Sequence, residues 1–153
     1  MKDDLDRIMD VMAAAFAPEW GEAWTRRQVS DSLAFPHTHY RLIDVYGAIP
    51  ASADPAAGFT LVRSAPGEEE LLLIAVAPQW RGHGLGGALL ADVVRQARTR
   101  NAERIFLEMR ENNSARLLYE RHGFEPIGRR PAYYRKPDGS RIDAITFGYT
   151  IAD

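Results

Sequence analysis

The sequence predicts an α/β protein whose mixed β-sheet is flanked by helices. Leu71–Val76 is a continuous apolar run, as in a central strand buried on both faces, and a Gly-rich turn, a helix from Gly86 to about Arg100 and a strand at Arg104–Arg110 follow it. This order is a crossover unit, so the two strands are predicted to be parallel near neighbours. Pro137-Asp138-Gly139 lies between two further strand patterns and predicts an antiparallel hairpin.

Two helices and two strands are predicted before the crossover unit. Apolar residues at helical spacing give a helix that runs to about Phe16. A capping box at Thr25 and Gln28 begins a second helix, which Pro36 is expected to stop. Strands then follow at approximately Tyr40–Tyr46 and Phe59–Arg63.

The segment after the crossover unit completes one domain. A helix is predicted over Ser114–His122 with Gly123 as its stop, followed by strands near Ile127–Tyr134 and Ala144–Ile151. With 153 residues, 46% of them hydrophobic, and no internal repeat, we expect residues 1–153 to form a single domain.

Composition narrows the classes of function. The chain has no cysteine, and its four histidines have no carboxylates at ligand spacing, so we expect no metal site. No signal peptide or membrane span is apparent, and a formal net charge of -2 argues against broad nucleic-acid affinity, so a cytoplasmic protein without direct nucleic-acid binding is expected. A basic cluster near the C-terminus is either a solvated hairpin surface or a docking site for an anionic partner; it comprises Arg129, Arg130, Arg135, Lys136 and Arg141.

The turn after the central strand carries the chemistry that is easiest to interpret. Gly82, Gly84, Gly86 and Gly87 are four glycines in six residues between a strand and a helix start. Glycines let the backbone approach a ligand, and the helix N-terminus supplies unpaired N–H groups and partial positive charge. The turn therefore suits a pyrophosphate, and Arg81 is placed to meet another phosphate.

Two common nucleotide-binding motifs do not fit this turn. The glycine spacing is not that of the Rossmann fingerprint, and the preceding strand is not the first of the domain. A P-loop requires Gly-Lys-Ser/Thr, and the turn contains no lysine.

Arg81-x-x-Gly84-x-Gly86 after Leu-Leu-Ile-Ala-Val-x-Pro resembles the acyl-CoA signature of the GNAT superfamily of N-acetyltransferases. The resemblance continues through Leu107–Arg110, Asn112 and Ala115–Phe124, and covers the chain from about residue 69 to the end. It implies a splayed, mostly antiparallel central sheet with acetyl-CoA in the opening between the strands at 71–76 and 104–110.

The resemblance also implies roles for individual residues around acetyl-CoA. Asn112 would contact the pantetheine or cap the next helix. The backbone of the preceding strand would pair with the pantetheine arm through Ile74, Ala75 and Val76. The turn would hold the pyrophosphate, and its residues are Gly82, His83, Gly84, Leu85, Gly86 and Gly87.

Amide formation from a thioester and an amine requires proton transfers that two residue types supply. By the resemblance, Tyr119 lies near the thioester sulfur, where a phenol serves as general acid. The acceptor ammonium must lose a proton to a carboxylate or to water held by one. Glu108 matches the base of the RimI-type alanine acetyltransferases and Glu70 that of the histone acetyltransferase branch, and Glu108 is preferred.

The C-terminal segment favours a peptide acceptor. Arg129–Tyr134 followed by Asp143-Ala144 resembles the RimI-type pattern, which implies that Tyr133 and Tyr134 line the acceptor pocket. The short loop between Arg110 and Asn112 and a tail without methionine depart from that pattern. We expect a protein N-terminal α-amine as acceptor. The alternatives are a lysine side chain or small-molecule amine, a non-catalytic acyl-CoA-binding module, and an unrelated α/β nucleotide binder.

Overall fold

The computed structural model describes residues 3–16, 22–51 and 54–151. Two helices, α1 (Asp4–Ala15) and α2 (Arg26–Leu33), precede strands β1 (Thr38–Ile43), β2 (Gly58–Ala65) and β3 (Glu68–Val76). A short 3-10 helix (Pro78–Trp80), α3 (Leu85–Thr99) and β4 (Arg104–Arg110) come next. The chain ends with α4 (Arg116–Arg121), β5 (Glu125–Arg135) and β6 (Arg141–Thr150).

The strands form one six-stranded sheet in the order β1-β2-β3-β4-β6-β5. Every neighbouring pair is antiparallel except β3 and β4. The prediction of a mixed sheet with a parallel crossover pair and a terminal hairpin is confirmed. No helix in the described part of the chain is long and apolar enough to cross a membrane.

The parallel pairing of β3 and β4 stops after three residue pairs, Glu68 with Arg104 to Glu70 with Phe106. Immediately beyond this point β3 carries a β-bulge, because Leu71 and Leu73 oppose neighbouring residues of β2 and Leu72 has no partner there. A bulge bends its strand and increases its twist. The two strands therefore diverge, and the remainder of β3 keeps only β2 as a neighbour.

The burial of β3 differs from the expectation of a strand buried on both faces. Leu71, Leu73 and Ala75 are buried, whereas the alternate residues Leu72 and Ile74 are only partly buried. Leu72 and Ile74 are not fully buried because this part of the strand borders the opening left by β4. The apolar residues of β3 therefore line the opening as well as the core.

Local signals set most element boundaries. The capping box that begins α2 is present, with Gln28 N–H donating to Thr25 Oγ1 at 3.2 Å and Thr25 N–H donating to Gln28 Oε1 at 2.7 Å. The predicted end of β1 at Tyr46 is wrong. The Asp44 carboxylate accepts the N–H groups of Tyr46 and Ala48 at 2.9 and 3.0 Å and turns the chain after Ile43.

The core divides around the sheet. Helices α1 and α2 bury Ile8, Met12 and Val29 with Phe59 and Leu61 of β2. A second cluster joins α3 and α4 to β4 and β6 and includes the fully buried residues Leu90, Ile105, Phe124 and Phe147. Both clusters reach β3, so the strand that opens the sheet is held by packing on its whole length.

A buried ion pair stabilises the closed end, where β3 and β4 still pair. Glu69 is 1% exposed and accepts from Arg100, at the end of α3, through Nε at 3.0 and 3.1 Å and through Nη2 at 2.6 Å. A buried carboxylate is costly unless it is paired and hydrogen-bonded. Arg100 therefore links α3 to the start of β3.

We expect Arg100→Met to lower the free energy of unfolding by about 3 kcal/mol, because it leaves Glu69 buried without its cation. Urea unfolding of the variant measures the loss. Arg98→Met, an exposed position in the same helical turn, is the matched control and should change stability little. Equal effects of the two substitutions would contradict the assignment.

Candidate active site

A cavity of about 820 Å³ occupies the opening between the diverging strands. Its walls come from the far half of β3, the Gly-rich turn, the end of β4, α4, the segment before α2, and β5. Residues predicted for function that line it are Ile74, Ala75, Val76, Arg81, Gly82, Gly84, Leu85, Gly86, Gly87, Glu108, Tyr119 and Tyr134.

The Gly-rich turn forms one end of the cavity. Gly82 and Gly84 both have φ +80°, a conformation that side chains disfavour, and a Cβ at either position would meet no protein atom within 4 Å. Gly84 is also the N-cap of the 15-residue helix α3, and no side chain caps this N-terminus. The turn thus presents backbone N–H groups and the positive end of a helix dipole to the cavity.

Arg81 and His83 of the turn interact mainly with the protein backbone. Arg81 Nε donates to the Val76 carbonyl at 3.1 Å and Nη2 donates to the Ala15 carbonyl at 3.0 Å. His83 Nδ1 lies 3.1 and 3.0 Å from the carbonyl oxygens of Trp80 and Arg81, and His83 does not line the cavity. These contacts shape the turn, and the Arg81 contacts tie it to α1 and β3.

Tyr119 is the buried phenol of the site. It is 5% exposed on α4 and packs between Phe124 and Phe147, with ring centroids 6.2 and 6.0 Å away. Gly123, at φ +86°, ends the helix, and Phe124 N–H donates to the Tyr119 carbonyl at 3.0 Å. Burial raises the pKa of Tyr119, and the nearby Glu22 carboxylate raises it further, so its hydroxyl is protonated at neutral pH.

Glu108 lies on β4, across the opening from β3. Its Oε2 forms an ion pair with Arg130 of β5, 2.7 Å from Nε, and its side chain is 20% exposed. The pairing register places Glu108 opposite Thr146 of β6, whose hydroxyl lies 3.5 Å from the same oxygen. The carboxylate is thus oriented by the hairpin while it still reaches the cavity.

Glu22 is a cavity residue that sequence reasoning missed. Its carboxylate accepts from Arg110 Nε at 2.8 Å and from Asn113 Nδ2 at 3.4 Å, and the Glu22 and Arg110 side chains are only 14% and 13% exposed. No local pattern marks Glu22, because its ion pair spans 88 residues of sequence.

Tyr134 of β5 completes this side of the cavity. Burial raises the pKa of Tyr134 to about 12, with smaller contributions from the carboxylates of Glu22 and Glu108. The two phenols and the two carboxylates therefore share one electrostatic environment. Each carboxylate has an arginine partner, so the two ion pairs and the two phenols together contribute no net charge at neutral pH.

The other cavity is smaller and less suited to chemistry. It has a volume of about 220 Å³ and lies where β1 and β2 face α3. Its arginines, Arg41 and Arg100, are paired with Asp92 and Glu69. Among the described residues, no group of three His, Asp or Glu side chains is arranged to hold a metal ion.

Residues 5–124 match the model of the acetyltransferase (GNAT) family. The chain belongs to the GNAT family of acetyltransferases. The expectation of a GNAT fold with an open sheet is confirmed, and so is that of an N-acetyltransferase.

Among GNAT relatives, the chain is similar to proteins of the RimI type. It is 33% identical over 144 residues to the N-alpha-acetyltransferase RimI of Mycobacterium tuberculosis, a match that covers 94% of this chain and 84% of that protein. It is 39% identical over 88 residues to the ribosomal protein bS18-alanine N-acetyltransferase of Haemophilus influenzae, which covers 58% of this chain and 60% of that protein.

A solved structure supports the same relationship. The crystal structure of the ribosomal-protein-S18-alanine N-acetyltransferase from Escherichia coli has a TM-score of 0.81 and 26% sequence identity to this chain. The match covers 98% of this chain and 89% of that chain. The fold of this chain is thus similar to that of a solved N-acetyltransferase over nearly its whole length.

Four of the residues predicted from the GNAT resemblance lie outside the cavity lining: Glu70, His83, Asn112 and Tyr133. Glu70 forms an ion pair with Arg63 of β2, in the segment where β3 is still closed against β4. Asn112 accepts from Arg110 Nη1 at 2.6 Å, whereas its neighbour Asn113 lines the cavity and accepts the Ala115 N–H at 2.8 Å. The structure thus brings Asn113, and not Asn112, to the cavity.

Proposed function

We propose that this GNAT enzyme transfers the acetyl group of acetyl-CoA to the α-amine of a protein N-terminus. The observation that carries the proposal is the single cavity between β3 and β4, which is bordered by the Gly-rich turn, Glu108 and Tyr119. Similarity to RimI-type enzymes, whose names specify an N-terminal alanine or an α-amine, supports this class of acceptor.

The residues present suit the cosubstrate. We assign the pyrophosphate to the N–H groups at the start of α3, where Gly82 and Gly84 leave room for close approach. The edge of β3 from Leu72 to Val76 has no strand partner on the cavity side, so its backbone groups are open to an amide-bearing pantetheine arm. Because Arg81 donates to two backbone carbonyls, we assign it to shaping the turn.

Glu108 is assigned as the proton acceptor. The acceptor amine arrives as an ammonium and must lose a proton before its nitrogen attacks the thioester carbon. A C–N bond then forms, the nitrogen loses a second proton to become the amide, and the C–S bond breaks, which leaves a thiolate. Glu108 faces the cavity and Glu70 does not, so the proton goes to Glu108 or to a water that it holds.

Tyr119 is assigned to the leaving sulfur. Its raised pKa keeps the phenol protonated, so it can donate a hydrogen bond to the developing thiolate. A thiol has an ordinary pKa of about 8.5, well below that of Tyr119, so a hydrogen bond is favoured over complete proton transfer. The proton that finally neutralises the thiolate can come from the amine through Glu108 and solvent.

The acceptor side of the cavity suits a chain terminus. It is bordered by residues 22–24 before α2 and by Tyr134 of the terminal hairpin. Glu22 and Glu108 offer carboxylate oxygens to an ammonium, and the phenol of Tyr134 offers a hydroxyl to a neighbouring carbonyl or amide.

Paired peptides test the acceptor. One set carries a free α-amine and no lysine, and the other carries a blocked α-amine and one lysine. We expect CoA release from acetyl-CoA with the first set alone. Turnover of the second set alone would replace the proposal with a lysine acceptor, and turnover of small amines alone would replace it with a small-molecule acceptor.

Gly84→Ala tests the pyrophosphate assignment. An alanine here would be strained at φ +80°, and its methyl group would occupy the open space that we assign to the pyrophosphate, so we expect a loss of CoA affinity of about tenfold, or about 1.4 kcal/mol. Isothermal titration with CoA measures it. Gly67→Ala, at φ +79° with the same free space but in the β2–β3 turn, should impose the same backbone strain and leave CoA affinity unchanged.

Substitutions at the proton-transfer residues should affect turnover more than cosubstrate binding. We expect Glu108→Gln to lower kcat by about 100-fold, with Tyr119→Phe lowering it by a similar or smaller factor. Glu70→Gln should retain activity, because its carboxylate pairs with Arg63 outside the cavity. Loss of activity in Glu70→Gln with retention in Glu108→Gln would reverse the assignment of the base.

A further inference from the structure

The terminal hairpin contains an irregularity next to the active site. Arg130 pairs with Ala144 and Tyr134 pairs with Ile142, so the β5 residues 131–133 stand opposite Asp143 alone. In an uninterrupted register Tyr134 would lie opposite Ser140, two residues nearer the hairpin tip, which is a displacement of about 7 Å. The bulge therefore brings Tyr134 back to the level of the cavity.

The bulge contains an unfavourable backbone conformation. Ala132 has φ +53°, in the left-handed region that residues with a Cβ rarely adopt. Such a conformation persists only where its surroundings stabilise it. The hairpin must therefore supply specific interactions at this point.

Asp143 supplies those interactions. Its Oδ1 accepts the Ala132 N–H at 2.8 Å and its Oδ2 accepts from Arg129 Nη1 at 2.5 Å. Its carbonyl accepts the Glu111 N–H at 2.9 Å, and Glu111 pairs with the same Arg129 nitrogen at 3.0 Å. The bonds from the Ala132 N–H and from Arg129 lower the pKa of the Asp143 carboxyl. Together with the Glu111 contacts they connect the bulge to β6 and to the residue that follows β4.

The bulge places active-site groups on both of its sides. On one side, Arg130 Nε lies 2.7 Å from Glu108 Oε2. The Arg130 guanidinium is 5.2 Å from the centre of the Tyr133 ring, and Tyr133 meets Tyr134 edge-on with ring centroids 5.2 Å apart. Tyr134, on the other side, lines the cavity.

We propose that Asp143 is a positioning residue for acetyl transfer: it holds the bulge that aligns Arg130 with Glu108 and places Tyr134 against the acceptor. Asp143 does not line the cavity, so it acts through these two residues. The inference rests on the proposed function, because alignment toward an acceptor has meaning only if an acceptor binds there.

Three variants test the role of Asp143. In Asp143→Ala, kcat/KM for an α-amine peptide should fall by at least about tenfold, because small displacements of positioning groups are costly. The KM for acetyl-CoA should not change, since the cosubstrate is assigned to β3 and α3. Asp143→Asn keeps an oxygen for the Ala132 N–H and should lose less. Adding Ala132→Gly to Asp143→Ala should recover most of the activity, because glycine adopts the left-handed conformation readily.

A matched control lies in the same hairpin. Asp138 accepts the Ser140 N–H at 2.9 Å in the turn, and Asp138→Asn removes the same charge without touching the bulge. It should retain the kcat/KM of the unmodified enzyme. Unchanged peptide kcat/KM in Asp143→Ala, or equal losses in Asp143→Ala and Asp138→Asn, would overturn the inference.

Hydrogen exchange of the Ala132 amide separates this inference from the proposed function. Exchange should be faster in Asp143→Ala and close to that of the unmodified enzyme in Asp143→Asn, whether or not a peptide is acetylated. If the unmodified enzyme acetylates no α-amine peptide, the proposed function fails while the exchange result still tests the bulge. If Asp143→Ala alone does not fold, the double variant with Ala132→Gly decides: it should fold and acetylate the peptide, and failure on either count would contradict the inference. Unaltered exchange at Ala132 in a folded Asp143→Ala would sink the inference.

Discussion

The separation of β3 from β4 is the constraint on which the rest of the site depends. Three residue pairs and the buried Glu69–Arg100 ion pair hold the two strands together at one end, and the bulge at Leu72 turns β3 away beyond it. A parallel pair that ran its full length would fill the space with backbone hydrogen bonds. Divergence instead leaves a strand edge, a helix N-terminus and the end of β4 around one cavity.

The cavity combines polar groups in a way that suits a reaction between a cationic amine and a thioester. Glu108 and Glu22 are each neutralised by an arginine, and the two phenols remain protonated because burial raises the pKa of Tyr119 and that of Tyr134. An approaching ammonium therefore meets carboxylate oxygens without a large excess of negative charge. In the proposed mechanism the proton then passes to Glu108 or to a water that it holds, and the amine left behind is uncharged and can attack the thioester.

The sequence predicted the parts of the site that follow from local rules. A buried strand, a glycine turn and an amphipathic helix have recognisable patterns, so the position of Gly82–Gly87 relative to β3 and α3 could be predicted, and the structure confirms that order of elements. The extent of pairing between β3 and β4 could not be predicted from such local patterns. Glu70 lies only two residues before the first β3 residue of the cavity, and this difference depends on where pairing with β4 ends. Which of the adjacent residues Asn112 and Asn113 reaches the cavity likewise depends on the course of the loop after β4.

Residues joined only by tertiary contacts were beyond local patterns. Glu22 enters the cavity because Arg110, at the end of β4, pairs with it across 88 residues, and Asp143 matters because three β5 residues bulge opposite it. In both cases a charged side chain fixes a segment that has no regular pairing of its own. The two segments, before α2 and within the hairpin, are also those that we assign to the acceptor side of the cavity. In the proposed arrangement the cosubstrate lies against β3 and α3, whose positions are held by strand pairing and core packing. The acceptor side depends instead on a few ion pairs and hydrogen bonds, so substitutions there can alter the choice of acceptor without disturbing the sheet.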